Sequence, residues 1–282
     1  MPAVPAKPRK GAALCAAALL GFVFWPAVRD TARVWLDNDT YAHGVLVPPI
    51  SAFLLWRLWP RIRAAQRRPS PSGMVLLAAA LVVQLVAHWA SVPYFGFIAL
   101  VAAICAVVLS LYGPSVLRVA AFPILFLLVS APMPGRFTAR LSDGLQSASA
   151  SFAAWLGSAV GLPIMRSGNL LELPGIQLEV AEVCSGFKKT VAFIALGLLY
   201  AHLLEMKPGK GALLVASSLP IAVAANVVRI AALAVAASIG GKSAMDSLHN
   251  VAEIGVLVLG FLLFSLVAKV LLWQRQPTPQ PS

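Results

Sequence analysis

The stretch VAEVCSGFKKT, residues 180–190, joins a polar, loop-rich segment to a long apolar run. It contains Cys184, one of the three cysteines in the chain and the only one flanked by charge and glycine. A thiol in the first turn of a helix is close to backbone N–H groups and to the positive end of the helix dipole, which favour the nucleophilic thiolate. The sequence therefore makes Cys184 a candidate nucleophile. The alternative is a small buried residue that starts a helix.

Outward from this stretch, the composition is that of a membrane protein. The chain has 282 residues, of which 60% are hydrophobic and only 11% are charged. That much apolar surface cannot be hidden in one water-soluble core, so we predict an all-α protein that uses lipid as its solvent. The formal charge of +12 would suggest nucleic acid for a soluble domain, but most Lys and Arg lie at the ends of apolar runs. We therefore predict a lipid bilayer, and no nucleic acid, as partner.

The apolar runs predict a polytopic bundle of about eight transmembrane helices in one integral membrane domain, residues 1–282. The runs cover residues 11–28, 45–59, 74–90, 95–112, 117–131, 186–204, 211–239 and 250–273. The densest basic cluster, residues 57–68, follows the second run, and the positive-inside rule makes it cytoplasmic. Alternation then places both chain ends in the cytoplasm and three segments outside: a turn-rich loop at residues 29–44, the long segment 132–188 and a turn at residues 240–249.

The long external segment, residues 132–188, differs in pattern from the runs. Its apolar residues recur at roughly helical spacing between polar ones, which predicts an amphipathic helix lying in the membrane interface. These residues are Phe137, Leu141, Leu145, Phe152 and Trp155. Around residues 169–183 the apolar period changes to two, with a Pro174-Gly175 turn. We therefore predict a small β-hairpin that delivers the chain to Cys184.

Three reactive side chains fall toward the outer face of the last three spans. Cys184 opens the sixth span, Arg229 lies in the outer half of the seventh, and His249 immediately precedes the eighth. An arginine inside an apolar helix is costly and usually faces a polar cavity, although it can also snorkel to the interface. Because Arg229 is nine residues below Ser238, about 13 Å of helix rise, it must reach upward to meet Cys184.

This constellation predicts acyl-transfer chemistry. A Cys184 thiolate would attack a peptide carbonyl, while Arg229 would stabilise the thiolate or the developing oxyanion. His249 would protonate the leaving amine and later deprotonate the incoming nucleophile. Asn226, one turn before Arg229, could orient the guanidinium, and Glu253, one turn after His249, could hold the other ring nitrogen.

Three further residues are candidates for a supporting role. Glu179 and Glu182 could position the arginine or recognise substrate, or they could be acids that only solvate the entry to the span. His43, in a separate external loop, could also contribute. The remaining histidines and cysteines are predicted to be packing residues: His88, His202, Cys15 and Cys105. The chain has no phosphate-binding loop, no Gly-x-Ser-x-Gly and no metal-ligand motif, so we predict neither cofactor nor metal.

Several short blocks occur in order along most of the chain. They are NDTYAHG (residues 38–44) with Val47-Pro48, LLWR ending at Arg57, Leu173-Pro174-Gly175, VAEVCSG (residues 180–186), NVVRI (residues 226–230) and His249. Together these blocks resemble the exosortase/archaeosortase family of multi-pass membrane cysteine transpeptidases. The resemblance implies that Cys184 is the nucleophile and that Arg229 and His249 are its partners. The segment Phe187-Lys188-Lys189 departs from the family pattern, where an aliphatic residue and then Arg or Gln are commoner.

The resemblance also implies a substrate and a location. Substrates would be exported proteins with a C-terminal sorting signal, made of a short motif (Pro-Glu-Pro in the bacterial branch), a membrane helix and a basic end. The protein would lie in the bacterial cytoplasmic membrane and cleave near that motif at the outer face. The alternative function is a non-enzymatic membrane component or a transporter for a polymer or an anionic solute, with Arg229 as the binding charge. The sequence predicts no oligomeric state.

Overall fold

The computed structural model describes residues 10–159, 161–173, 176–179 and 187–273. The chain forms two compact units, one ending at Pro134 and the other beginning at Gly135. The boundary falls at the start of the segment that the sequence predicts to be external. That the whole chain functions as a single domain stays a prediction.

The regular secondary structure of the first unit, within its described residues, is all helical. Its α-helices are α1 (Lys10–Val23), α2 (Trp25–Asp37), α3 (Val47–Arg57), α4 (Trp59–Ala64), α5 (Ser72–Trp89), α6 (Pro93–Tyr112) and α7 (Pro114–Phe126), with 3₁₀ turns at Asp39–Leu46 and Leu127–Ser130. Five of these helices, α2, α3, α4, α6 and α7, carry proline at their first or second position. Proline fits there because the first-turn N–H groups have no partner within the helix, so each proline fixes where a helix starts.

The second unit begins with α8 (Gly135–Ala159), followed by β1 (Met165–Ser167), β2 (Leu170–Leu173) and β3 (Ile176–Glu179). The strands form one antiparallel sheet in the order β1-β2-β3. The predicted amphipathic helix and the predicted β-hairpin are confirmed, and the hairpin, β2–β3, gains β1 as a third strand. Helices α9 (Phe187–Leu203) and α10 (Pro208–Trp273) complete the unit.

Helix α10 is an antiparallel hairpin folded at one glycine. Gly241 has φ 66° and ψ −162°, a conformation that side chains disfavour, and it separates a first arm (residues 208–240) from a second arm (residues 242–273). Lys210 Nζ donates to the carbonyl oxygen of Leu271 at 2.7 Å, and Leu214 and Phe264 share a buried apolar cluster. The two members of each pair are about equally far from residue 241, as in a pair of arms lying side by side.

The spans differ in part from their prediction. Four helices are long and apolar enough to cross a membrane (Ser72–Trp89, Pro93–Tyr112, Pro208–Met245 and Val251–Trp273), or up to six if two bent pairs of helices each count as one span. The protein is therefore an all-α, multi-pass membrane protein, but the number eight is not confirmed.

Two predicted loops are wrong. Residues 29–37, predicted to be a turn-rich loop, continue α2, which meets the preceding helix at a 64° bend. The charges in this segment favour a loop, yet α2, with Pro26 in its first turn, continues through it. Residues 242–249, predicted to be an outer turn, are helical, because Gly241 alone reverses the chain. His249 therefore lies inside a helix and not before it.

Candidate active site

A charged cluster lies at the junction of α9 and the two arms of α10. Glu253, on the second arm, has Oε2 4.0 Å from Arg229 Nη2 and Oε1 3.9 Å from Lys189 Nζ. Arg229 is only 1% exposed and Lys189 only 3%. One carboxylate is thus shared by two buried cations that come from different helices.

The geometry of the α10 hairpin explains why these residues meet. Arg229 and Glu253 each lie twelve residues from Gly241, so both are about 18 Å along their arms from the turn. Lys189 is the third residue of α9. The first turn of α9 is therefore at the depth of Arg229. The upward reach that the sequence required of Arg229 is not needed to meet the start of α9.

The ion pairs lower the free-energy cost of burying these charges. A lone charge in an apolar interior costs several kcal/mol or more, and a paired one much less. Arg229 points into the helix bundle toward Glu253, so it does not snorkel to the interface. Ionisable groups held inside a membrane bundle generally line a functional site.

Asn226 lies one turn before Arg229 and is fully buried. Its Nδ2 donates to Ser149 Oγ of α8 at 3.2 Å. Ala150, Leu171 and Ile230 form a buried apolar cluster with Ala153 beside this bond. Asn226 therefore ties α8 to the first arm of α10 next to Arg229, whereas the predicted role of orienting the guanidinium stays a prediction.

Helix α8 turns a polar face inward and an apolar face outward. The buried polar residues lie on one face at intervals of four and three: Ser142, Gln146 and Ser149. The exposed large residues include Phe152, 56% exposed, and Trp155, 69% exposed. This pattern suits a helix that meets lipid on one side and a polar interior on the other. The polar face of α8 therefore lines the side of the site that contains Asn226.

The sheet is fixed to the same helix. Arg166 of β1 donates from Nη2 to Ser147 Oγ at 2.8 Å, and Leu171 of β2 is fully buried. Strand β3 ends at Glu179, opposite Leu170. The hairpin thus brings the chain to within five residues of Cys184 along the sequence, beside α8.

Four of the predicted site residues lie wholly or partly outside what the structure describes. Cys184 and Glu182 are outside the described residues, and the side chains of Glu179 and His249 are not described, although their backbones belong to β3 and α10. His43 lies in the first unit, with its ring 6.4 Å from that of Tyr41. The structure thus brings together Arg229, Glu253 and Asn226.

Comparison with known proteins identifies the family. The family model described as Transmembrane exosortase (Exosortase_EpsH) matches residues 35–267, well over half of the chain. The chain belongs to the transmembrane exosortase family. A search of curated proteins and a search of solved structures gave no match. The matched range covers the charged cluster of this exosortase and its neighbours in α8, and it extends into the first unit.

Lys189 is the site residue that sequence reasoning missed. In the sequence it stands out only as part of a departure from the family pattern, yet it is almost fully buried and shares Glu253 with Arg229. A lysine at the start of an apolar span, with a glutamate inside another span, is the signal that could have found it, because each charge is costly there without the other. The sequence predicts that Glu253 holds His249, but its described partners are the two cations.

The structure also describes the histidines and cysteines that the sequence predicts to be packing residues. Cys105 is buried in the core of the first unit, and Cys15 is exposed on α1. His88 and His202 lie in the last turns of α5 and α9. Within the described residues, no group of three or more His, Cys, Asp and Glu side chains could hold a metal ion.

Proposed function

We propose that this exosortase-family protein is a membrane cysteine transpeptidase that processes C-terminal sorting signals of exported proteins. Cys184 is the nucleophile, and Arg229 and His249 are its partners. The observation that carries the proposal is the buried Arg229, held by Glu253 at the depth where α9 begins. Cys184 is three residues before α9, and the five residues from Cys184 to Lys189 span at most about 18 Å.

The reaction proceeds through a thioester. The Cys184 thiolate attacks the carbonyl carbon of the scissile peptide bond, and the Arg229 guanidinium stabilises the oxyanion that forms. His249 gives a proton to the departing amine as the carbon–nitrogen bond breaks. It then takes a proton from the second nucleophile, which is water, an amine or a lipid, as this group attacks the thioester and releases Cys184.

Glu253, Lys189 and Asn226 are positioning residues in this scheme. Glu253 fixes the guanidinium of Arg229 from the opposite arm of α10, and Lys189 fixes Glu253 from α9. Asn226 fixes α8 against the arm that carries Arg229. A preorganised donor is effective in catalysis because it does not have to reorganise when charge develops. Glu179 and Glu182, on the approach to Cys184, and His43 are assigned to substrate recognition.

The substrate is an exported protein whose C-terminal membrane helix lies in the same bilayer. Such a helix brings the short motif before it to the membrane surface, where the chain enters α9. By the positive-inside rule the arginines at residues 57–68 are cytoplasmic, and we place Cys184, in the segment predicted to be external, at the outer side of the cytoplasmic membrane.

Co-expression with an epitope-tagged substrate tests this function. The substrate carries a Pro-Glu-Pro motif, a membrane helix and a basic tail, and its mass is measured after purification. We expect loss of the C-terminal part with the natural chain and with Cys15→Ala, but an intact substrate with Cys184→Ala. Processing that persists in Cys184→Ala, in cells without another exosortase, would exclude the nucleophile assignment.

A further inference from the structure

The first unit contains an apolar cavity that the proposed reaction does not use. Its volume is about 540 Å³, within the range of about 300–1,000 Å³ that is typical of ligand pockets. Its apolar lining comes from α3, α4, α6 and α7: Leu55, Ile62, Ile104, Val108, Val116, Ala120 and Ile124. The cavity is therefore large and dry enough for a hydrocarbon chain.

The cavity is elongated along the helices and polar at one end. From Ile104 to Tyr112 on α6, and from Val116 to Ile124 on α7, its lining extends over eight residues, about 12 Å. Arg67 and Tyr112 line the end where α6 finishes and α7 begins. A ligand that fills it must have a long apolar part and a head that suits an arginine.

The head-group end lies in the most basic part of the sequence. Five arginines occur within twelve residues there: Arg57, Arg61, Arg63, Arg67 and Arg68. The sequence contains no Asp or Glu from residue 40 to residue 142. The helices that form the cavity thus contain no carboxylate beside Arg67, the arginine that lines it, and the concentration of positive charge at this end suits an anionic head group.

Arg67, at the rim, and Arg63, beside the lining residue Trp59, are held in place. Arg67 lies over the ring of Tyr112 at 5.5 Å, and Arg63 lies over that of Trp59 at 4.9 Å. The chain beside Arg67 is fixed to α6, because the Arg68 N–H donates to the Tyr112 carbonyl oxygen at 3.2 Å. Gly113, with φ 89°, allows this approach, since a Cβ there would collide with the Arg68 carbonyl. Stacked guanidinium groups keep their N–H edges available for a phosphate.

We propose that this cavity binds one acyl chain of an anionic phospholipid and that the arginine rim binds its phosphate. The apolar lining accounts for the acyl chain, and the concentration of positive charge accounts for the preference for a net anion over a zwitterion. The positive-inside rule places the rim at the cytoplasmic leaflet, where anionic lipids attract basic segments. The site lies wholly within the first unit, so lipid binding there can be tested independently of the chemistry at Cys184.

Native mass spectrometry of the full chain in detergent tests the proposal. The protein is titrated with dioleoyl phosphatidylglycerol and, in parallel, with dioleoyl phosphatidylcholine. We expect one phosphatidylglycerol to be retained in preference to phosphatidylcholine. Arg67→Gln should weaken this binding by about fivefold, the effect of one arginine near an anionic lipid surface. Arg136→Gln, at an exposed position of α8, is the matched control and should bind as the natural chain does.

Variants that fill the cavity distinguish binding of an acyl chain from binding of the phosphate alone. Ala120→Phe places a ring in the cavity without a change of charge, and Val108→Trp fills it from α6 if the first variant does not fold. We expect either variant to lose the retained lipid. Equal retention of the two lipids, unchanged binding in the filled variant, or full displacement of the lipid by inorganic phosphate would each overturn the proposal.

Discussion

Replacement of Glu253 by glutamine tests whether one carboxylate holds the two cations of the candidate site. Glutamine keeps the size of the side chain but removes the negative charge 3.9 Å from Lys189 Nζ and 4.0 Å from Arg229 Nη2. Water cannot replace that charge, because the two cations are 3% and 1% exposed. Loss of one partner from a buried ion pair costs about 3–5 kcal/mol.

We expect a cost at the lower end of that range. The side chain of Glu253 is 34% exposed, so each interaction is partly screened, and both distances are longer than a hydrogen bond, so each interaction is weaker. The free energy of unfolding should therefore fall by about 3 kcal/mol. For a chain of this size, that corresponds to a fall of roughly 6–12 °C in Tm.

Thermal unfolding of the purified chain in detergent measures this effect. Asp143→Asn, at an exposed position of α8, is the matched loss of a carboxylate and should change the free energy of unfolding by less than about 0.5 kcal/mol. Glu253→Asp keeps the charge and should retain part of the stability. If Glu253→Gln had the same Tm as Asp143→Asn, the carboxylate of Glu253 would not be what stabilises the two cations.

We expect the loss of Lys189 to cost less stability than the loss of Glu253. Lys189→Met leaves Glu253 paired with Arg229 and puts an apolar side chain of similar length in a buried position, so we expect a loss within about 1 kcal/mol. Substrate processing measured well below Tm should follow the same order, with Glu253→Gln slower than Lys189→Met. Equal losses for the two variants would contradict the assignment of Glu253 as the residue that holds Arg229.

Two further predictions concern the turn of α10 at Gly241 and Tyr41 in the 3₁₀ turn Asp39–Leu46. Gly241→Ala should destabilise the chain by about 1–3 kcal/mol, because alanine disfavours φ 66° with ψ −162°. Gly255→Ala, in the second arm with open space around it, should be neutral or stabilising by up to about 1 kcal/mol. Thermal unfolding measures the stability of the two glycine variants. Burial raises the pKa of Tyr41, whose hydroxyl accepts from the Met133 N–H at 3.1 Å. Its contribution to stability is therefore present below the usual tyrosine pKa of about 10 and is lost as pH rises beyond it, so Tyr41→Phe should reduce the alkaline loss of Tm.

Each of these predictions has a contrary result. Equal unfolding curves for Gly241→Ala and Gly255→Ala would show that the turn does not require the glycine conformation. An unchanged alkaline decline in Tyr41→Phe would show that ionisation of Tyr41 does not contribute to it.

The sequence predicted those parts of the fold that depend on local pattern. Helices α5 and α6 agree with the apolar runs 74–90 and 95–112 within about two residues at each end. The hairpin was predicted from alternating side chains. Arg229 was singled out because an arginine within an apolar span is costly. In each case the prediction depends only on residues that are close together in the sequence.

The rest depends on contacts between distant residues. Lys189 and Glu253 are 64 positions apart, and their meeting requires the register of α9 against the α10 hairpin. That register is set by Gly241, which looks like any glycine in a glycine-containing loop until its φ is known. Hydropathy indicates where an apolar helix lies but not which residues of two helices face each other, so the shared carboxylate could not be predicted.

The central claim is that Cys184 forms a covalent intermediate with the substrate. The purified full chain is mixed with a peptide that carries the sorting motif and membrane helix, stopped with acid, and its intact mass and peptide map are measured. We expect an added acyl fragment on Cys184 that hydroxylamine releases, present in Cys15→Ala and absent in Cys184→Ser. Cleavage of the peptide by Cys184→Ser at the natural rate would contradict it.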